Sequence, residues 1–99
     1  MKLTKEKIPK STFKISVDLP KAHPVNSKKC RMNCALLGGE WLCQIQYPYE
    51  DPQYINLSES KLFDKINSTA RISSSLLKCN IVYMNKGKVS KKTLAVNGR

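Results

Sequence analysis

At residues 29 to 48 the sequence reads KCRMNCALLGGEWLCQIQYP. Two runs of alternating apolar and polar residues flank Gly38 and Gly39, a strong signal for a β-hairpin with a two-residue turn. One face of such a hairpin is apolar and the other mostly polar, as expected of a sheet that covers a core on one side. The predicted facing pairs are Leu36 with Trp41, Cys34 with Cys43, Met32 with Ile45, Asn33 with Gln44, and Arg31 with Gln46.

Four other segments carry a periodic pattern that predicts secondary structure. They are a half-buried strand at 12–19, a helix at 58–71 with Ser58 as its N-cap, an apolar strand at 76–84, and a last strand at 89–96. Residues 49–56, which are acidic, aromatic and rich in turn formers, are predicted to be a linker.

The turn between the last two predicted strands has two alternatives. A two-residue turn places Lys92 opposite Ile81, a lysine against an apolar residue. A three-residue turn with Gly87 in the left-handed region pairs Tyr83 with Val89 instead. We favour this turn because it does not place Lys92 opposite Ile81.

The predicted element order is three strands, one helix and two strands (β-β-β-α-β-β). This order resembles that of the OB-fold, so the predicted fold class is mainly β with one helix, a small five-stranded barrel. The alternative is an open antiparallel sheet packed on one helix. The chain length suits a single domain. Residues 1–10 are predicted to form a flexible basic arm, and residues 11–99 a single small β-rich domain.

Charge is the strongest compositional signal. The chain carries 18 Lys and Arg residues against 7 Asp and Glu, a formal net charge of +11. The basic residues concentrate in residues 1–31 and 73–99, whereas residues 32–60 contain no Lys or Arg. This asymmetry predicts one electropositive surface, suited to a polyanion or to an acidic protein partner.

The four cysteines do not have the spacing of a structural zinc site, which uses close pairs of ligands. Only Cys30 and Cys34 are close in sequence, and an extended strand holds them about 13 Å apart. The favoured interpretation is that all four are core thiols, with a cross-strand disulfide between Cys34 and Cys43 as the alternative. We predict no metal and no cofactor.

No catalytic motif stands out. The single histidine, His23, lies in a predicted loop, and the adjacent carboxylates Glu50 and Asp51 lie in the predicted linker. We therefore predict that the protein is not an enzyme; a small metal-independent ribonuclease toxin is the least favoured alternative. No apolar stretch is long enough to span a bilayer and no signal peptide is recognisable, so we expect a cytoplasmic protein without a membrane partner.

The function predicted from these features is non-enzymatic binding of single-stranded DNA or RNA. In an OB-fold the ligand contacts the second and third strands and two loops, which correspond here to 21–29 and 85–88. The residues predicted to bind nucleic acid are Lys14, Lys21, Lys28, Lys29, Arg31, Asn33, Gln44, Gln46, Lys78, Lys86 and Lys88.

Binding is predicted to be electrostatic and tolerant of sequence, because no aromatic residue falls on the predicted polar face. Phe13, Trp41, Tyr47 and Tyr83 fall on the core side, and Tyr49 and Tyr54 lie in the linker. The alternative function is a basic inhibitor or adaptor, of viral or mobile-element type, that docks on an acidic or nucleic-acid-binding surface of another protein. Pairing of sheet edges would also permit a homodimer.

Overall fold

The computed structural model describes residues 1–19, 30–47, 50–74 and 76–97. This part of the chain contains one sheet of six antiparallel strands and one α-helix. The strands are β1 (Thr12–Leu19), β2 (Cys30–Leu37), β3 (Glu40–Gln46), β4 (Gln53–Leu57), β5 (Leu77–Asn85) and β6 (Lys88–Val96). The helix α1 (Glu59–Ser73) connects β4 to β5, and a short 3-10 turn (Lys5–Lys7) precedes β1.

The sheet is open, with the strand order β4-β3-β2-β1-β5-β6. The first four strands form a meander, and β5 then pairs with the other side of β1. Since β4 and β6 are the two edges and do not pair, the sheet does not close. The prediction of a mainly β fold with one α-helix is confirmed for the described residues, whereas the prediction of a five-stranded barrel is wrong. The alternative architecture, an open antiparallel sheet packed on one helix, is the one observed.

The additional strand is β4, which falls in the stretch predicted to be a linker. It pairs with β3, with Tyr54 opposite Gln44 and Leu57 opposite Trp41. Four of its five residues are exposed, because an edge strand buries little of either face. The alternation of apolar and polar residues along β4 is therefore weak, and the preceding Pro52 favours a turn. Both features make the segment resemble a linker.

The central hairpin has the predicted register. Cys34 lies opposite Cys43 and Leu36 opposite Trp41. Gly38 and Gly39 form the turn with φ of 59° and 84°, and two positive φ values are what a tight hairpin turn of matching twist requires.

The register of the second hairpin differs from the favoured prediction. Its turn has two residues, Lys86 and Gly87, with φ of 51° and 80°, so that Ile81 lies opposite Lys92. The sequence argument assigned a positive φ to glycine alone, but a lysine occupies the left-handed region here. As a result Lys92 shares the face of Ile81, and Lys91 lies on the opposite face of the sheet.

Replacing Lys86 with Asn is expected to raise the free energy of unfolding by about 1 kcal/mol, because asparagine tolerates the left-handed conformation and Asn-Gly suits this turn type. Urea denaturation of the two proteins measures the change. Lys88→Asn is the matched control, since it makes the same charge change in an extended strand position. A variant at Lys86 no more stable than this control would contradict the two-residue turn.

One face of the sheet packs against α1 and forms the core. The helix begins at its predicted N-cap, where the Ser58 hydroxyl accepts a hydrogen bond from the Lys61 N–H at 3.4 Å. Its buried residues are Leu62, Phe63, Ile66, Asn67 and Ala70. The sheet residues of the core include Ile15, Val17, Met32, Trp41, Ile45, Leu77 and Ile81.

Residues 1–10, for which the sequence predicts a flexible arm, are attached to the core at Leu3. This side chain is 1% exposed. The buried side chain of Asn67 accepts a hydrogen bond from the Leu3 N–H at 2.7 Å and donates one to the Leu3 carbonyl oxygen at 2.8 Å. One asparagine of α1 therefore satisfies both backbone groups of Leu3.

All four cysteines are buried and unbonded, as the core-thiol interpretation predicts. Cys34 and Cys43 face each other across the hairpin as free thiols. Burial raises the pKa of the Cys30 thiol and raises that of Cys79 to about 12. Buried thiols of this kind are protonated and poorly nucleophilic at neutral pH.

The raised pKa of Cys79 predicts a loss of stability at alkaline pH. The unfolded chain releases this proton near the ordinary pKa of 9.0, whereas the folded chain holds it up to about 12. The stabilisation is complete below the lower value, and the free energy of unfolding should fall by up to about 1.4 kcal/mol per pH unit between the two. Urea denaturation under reducing conditions on both sides of this window measures the decline. An equally steep decline in Cys79→Ala would contradict the assignment.

Candidate nucleic-acid interface

The face of the sheet opposite α1, termed here the open face, carries side chains that do not enter the core. It is formed by alternate residues of the six strands, because successive side chains of a strand point to opposite sides. Its central residues are Lys14, Ser16 and Asp18 of β1, Arg31, Asn33 and Ala35 of β2, Leu42, Gln44 and Gln46 of β3, Tyr54 and Asn56 of β4, Lys78, Asn80 and Val82 of β5, and Lys91 and Thr93 of β6.

One line of polar side chains crosses the open face from edge to edge. This polar row consists of residues in direct register, one from each strand: Tyr54, Gln44, Asn33, Ser16, Asn80 and Thr93. Three hydrogen bonds join neighbours within it. Ser16 Oγ donates to Asn33 Oδ1 at 2.7 Å, Thr93 Oγ1 donates to Asn80 Oδ1 at 2.9 Å, and Gln44 Nε2 donates to Tyr54 Oη at 3.4 Å.

Three exposed lysines flank the polar row. Lys14 and Lys91 both lie opposite Val82, on either side of β5, and Lys78 lies two residues before Asn80. In the described ranges none of the three forms an ion pair. Their ammonium groups are therefore available to an anionic ligand.

Arg31 differs from these lysines, because its Nε lies 3.0 Å from Asp18 Oδ1. The pair is partly exposed, so it adds little to stability. It does offset the positive charge of Arg31 within the open face. Gln46 is also engaged, since its Nε2 donates to the carbonyl oxygens of Tyr47 and Glu50 at 3.1 and 2.9 Å.

The structure brings together six of the residues predicted to bind nucleic acid. Lys14, Arg31, Asn33, Gln44, Gln46 and Lys78 all belong to the open face. Lys86 lies in the turn between β5 and β6. Lys88 is the first residue of β6 and lies opposite Asn85, at the end of the strand pair and away from the polar row. Lys21, Lys28 and Lys29, with the rest of the predicted loop 21–29 and His23, lie outside the described residues.

An aromatic side chain absent from the predicted face is present in the structure. Tyr54 is 64% exposed and stands at one end of the polar row. The prediction that this face has no aromatic residue is wrong, because it depended on reading β4 as a linker. The signal that could have revealed it is the alternation of Tyr54 and Asn56 with Ile55 and Leu57.

Next to Tyr54 the open face has a shallow depression of about 410 Å³. Polar-row side chains form one side of it, and the neighbouring pair of Ala35 and Leu42 contributes apolar surface. Lys14, which lies opposite Ala35, completes the lining on the β1 side. The depression thus combines an aromatic ring, two amides, an apolar base and one cation.

Phe13 also departs from its predicted position. A register shift between Thr12 and Lys14 makes Phe13 an extra residue of β1 relative to β5. It is half-buried and does not belong to the hydrophobic core. A β-bulge re-aims side chains in this way, so simple alternation misplaced Phe13.

Neither a metal centre nor a relative identifies the protein. In the ranges that the structure describes, no three His, Cys, Asp or Glu side chains lie close enough together to hold a metal ion. No helix within those ranges has the length and apolar character needed to cross a bilayer. The chain matches no protein-family model, no curated protein and no solved structure.

Proposed function

We propose that the protein binds single-stranded nucleic acid, DNA or RNA, on the open face and catalyses no reaction. The observation that carries the proposal is the polar row across all six strands, flanked by Lys14, Lys78 and Lys91, which form no ion pair with any described residue. Lysines at these positions would contact phosphates, and the amides and hydroxyls of the row would contact sugars and bases. Sheet faces that bind RNA in other folds stack bases on exposed aromatic side chains, a role that Tyr54 could have here.

The width of the sheet favours a single strand over a duplex. Six strands spaced about 4.8 Å apart span about 24 Å, whereas the major groove of B-DNA is about 12 Å wide. The open face is therefore too wide to lie within an undistorted major groove. A single strand, by contrast, can lie across the sheet and present unpaired bases to Tyr54 and the amides.

An acidic protein surface, the alternative partner suggested by the charge, requires only the lysines. A single-stranded nucleic acid would in addition use the ring of Tyr54 and the amides of Asn33 and Gln44. The ring and the amides support nucleic acid as the ligand, because base faces stack on an aromatic ring and base edges form hydrogen bonds with amides.

A fluorescence anisotropy titration with labelled single-stranded DNA and RNA tests the proposal. Binding should weaken steeply between about 50 and about 200 mM salt, because phosphate contacts release counterions. A duplex of the same length should bind more weakly at each salt concentration. Binding of single strands no tighter than about millimolar at the lower salt concentration would reject the proposal, since even non-specific nucleic-acid binding is stronger than that.

A further inference from the structure

We propose that Tyr54, Gln44 and Asn33 form a subsite for one unpaired nucleobase, and this inference rests on the proposed function. The three residues are consecutive members of the polar row on β4, β3 and β2. They border the depression of about 410 Å³ on the open face. The subsite assigns the recognition of one base to three particular residues of the polar row.

The hydrogen bonds within the row leave the Asn33 amide nitrogen as a donor and the Gln44 amide oxygen as an acceptor for a ligand. Gln44 uses its Nε2 to donate to Tyr54, which leaves Oε1 as an acceptor. Asn33 uses its Oδ1 to accept from Ser16, which leaves Nδ2 as a donor. Because Asn33 and Gln44 face each other in register, these two atoms can engage neighbouring donor and acceptor groups on one base edge.

The ring of Tyr54 supplies the stacking surface. The ring is exposed, and its hydroxyl accepts a hydrogen bond from Gln44 Nε2 at 3.4 Å. Because this bond restricts the side chain, less conformational entropy is lost when a base stacks on the ring. Leu42 and Ala35 offer apolar contact beside it. Lys14 lines the same depression, where its ammonium group can pair with the phosphate next to the bound base.

The experiment compares a thymidine oligonucleotide with an abasic oligonucleotide of equal length and charge. Tyr54→Leu should weaken binding of the thymidine oligonucleotide by about 5- to 150-fold, the range expected for loss of one stacked base. It should leave binding of the abasic strand unchanged. Tyr54→Phe, which keeps the ring, should retain most of the affinity, and Ile72→Ala, at an exposed position of α1 outside the open face, is the control.

The outcomes separate the subsite from the proposed function. Equal binding of both oligonucleotides, with no effect of Tyr54→Leu on either, would overturn the subsite and leave binding to the backbone standing. Equal losses for both oligonucleotides would also overturn it, by assigning Tyr54 a structural role. Failure of wild-type protein to bind either strand at low salt would overturn the proposed function itself.

Discussion

Replacing Asn67 with Leu is expected to lower the free energy of unfolding by about 2 to 6 kcal/mol, because two buried backbone groups lose their partner and each costs about 1 to 3 kcal/mol. In the folded chain, the Asn67 side chain hydrogen-bonds both the N–H and the carbonyl of Leu3. Leucine has the same number and branching of side-chain non-hydrogen atoms, so the change removes the hydrogen bonds and opens no large cavity. The loss is a large fraction of the stability of a small domain, typically about 5 to 15 kcal/mol.

Urea denaturation measures this change, with Asn56→Leu as the matched control at an exposed position of β4. Trypsin provides a second readout, since the variant should be cleaved faster at the lysines of the N-terminal segment. A loss of stability no greater than that of the control would show that Leu3 does not depend on Asn67.

The central hairpin could be predicted from the sequence because both of its strands bury one face. Met32, Cys34 and Leu36 each have an apolar partner on the facing strand, and a shift of one residue would move one strand's set of these side chains to the other face. Edge strands lack this constraint. The sequence pattern therefore does not predict the mostly exposed β4. It also favours the wrong register for β6, because a lysine opposite the apolar Ile81 is not expected. Lysine on the inward face of an edge strand is a common protection against edge pairing.

Sequence patterns could not predict whether the sheet closes into a barrel or stays open. The alternation of apolar and polar residues indicates which residues of a strand are buried, but it does not indicate which distant strand pairs with that strand. A helix followed by a hairpin is compatible both with a barrel and with the addition of β5 to the free side of β1. The structure has the second arrangement, in which no helix of the described residues covers the face of the sheet opposite α1.

The candidate interface was predicted in part. Alternation placed Lys14, Asn33, Gln44 and Lys78 on one face, because each lies between apolar neighbours in its strand. It could not show that Arg31 pairs with Asp18, or that Gln46 hydrogen-bonds the backbone. These interactions depend on side-chain geometry, which a burial pattern does not contain.

Replacing Lys14, Lys78 and Lys91 together with Gln is expected to weaken binding of single-stranded nucleic acid on the order of 10²-fold at about 50 mM salt, if each lysine contacts one phosphate. All three are exposed and lack ion-pair partners among the described residues. Stability should change little, because glutamine keeps the aliphatic part of the side chain. Fluorescence anisotropy with a labelled oligonucleotide measures the affinity.

The matched control replaces Lys2, Lys7 and Lys61 with Gln. These lysines are equally exposed and belong to the N-terminal segment and α1 and not to the open face. The two triple variants have the same net charge, so a general effect of charge would weaken binding in both to the same extent. A specific role for the open face requires a much larger loss in the first.

The most direct measurement is the slope of the logarithm of the binding constant against the logarithm of salt concentration for these three proteins. Each phosphate contact to a single strand contributes about 0.7 to this slope, so the open-face variant should have a slope shallower than wild type by about 2. The control variant should keep the wild-type slope. Equal slopes in wild type and the open-face variant, or a change confined to the control, would contradict binding on the open face.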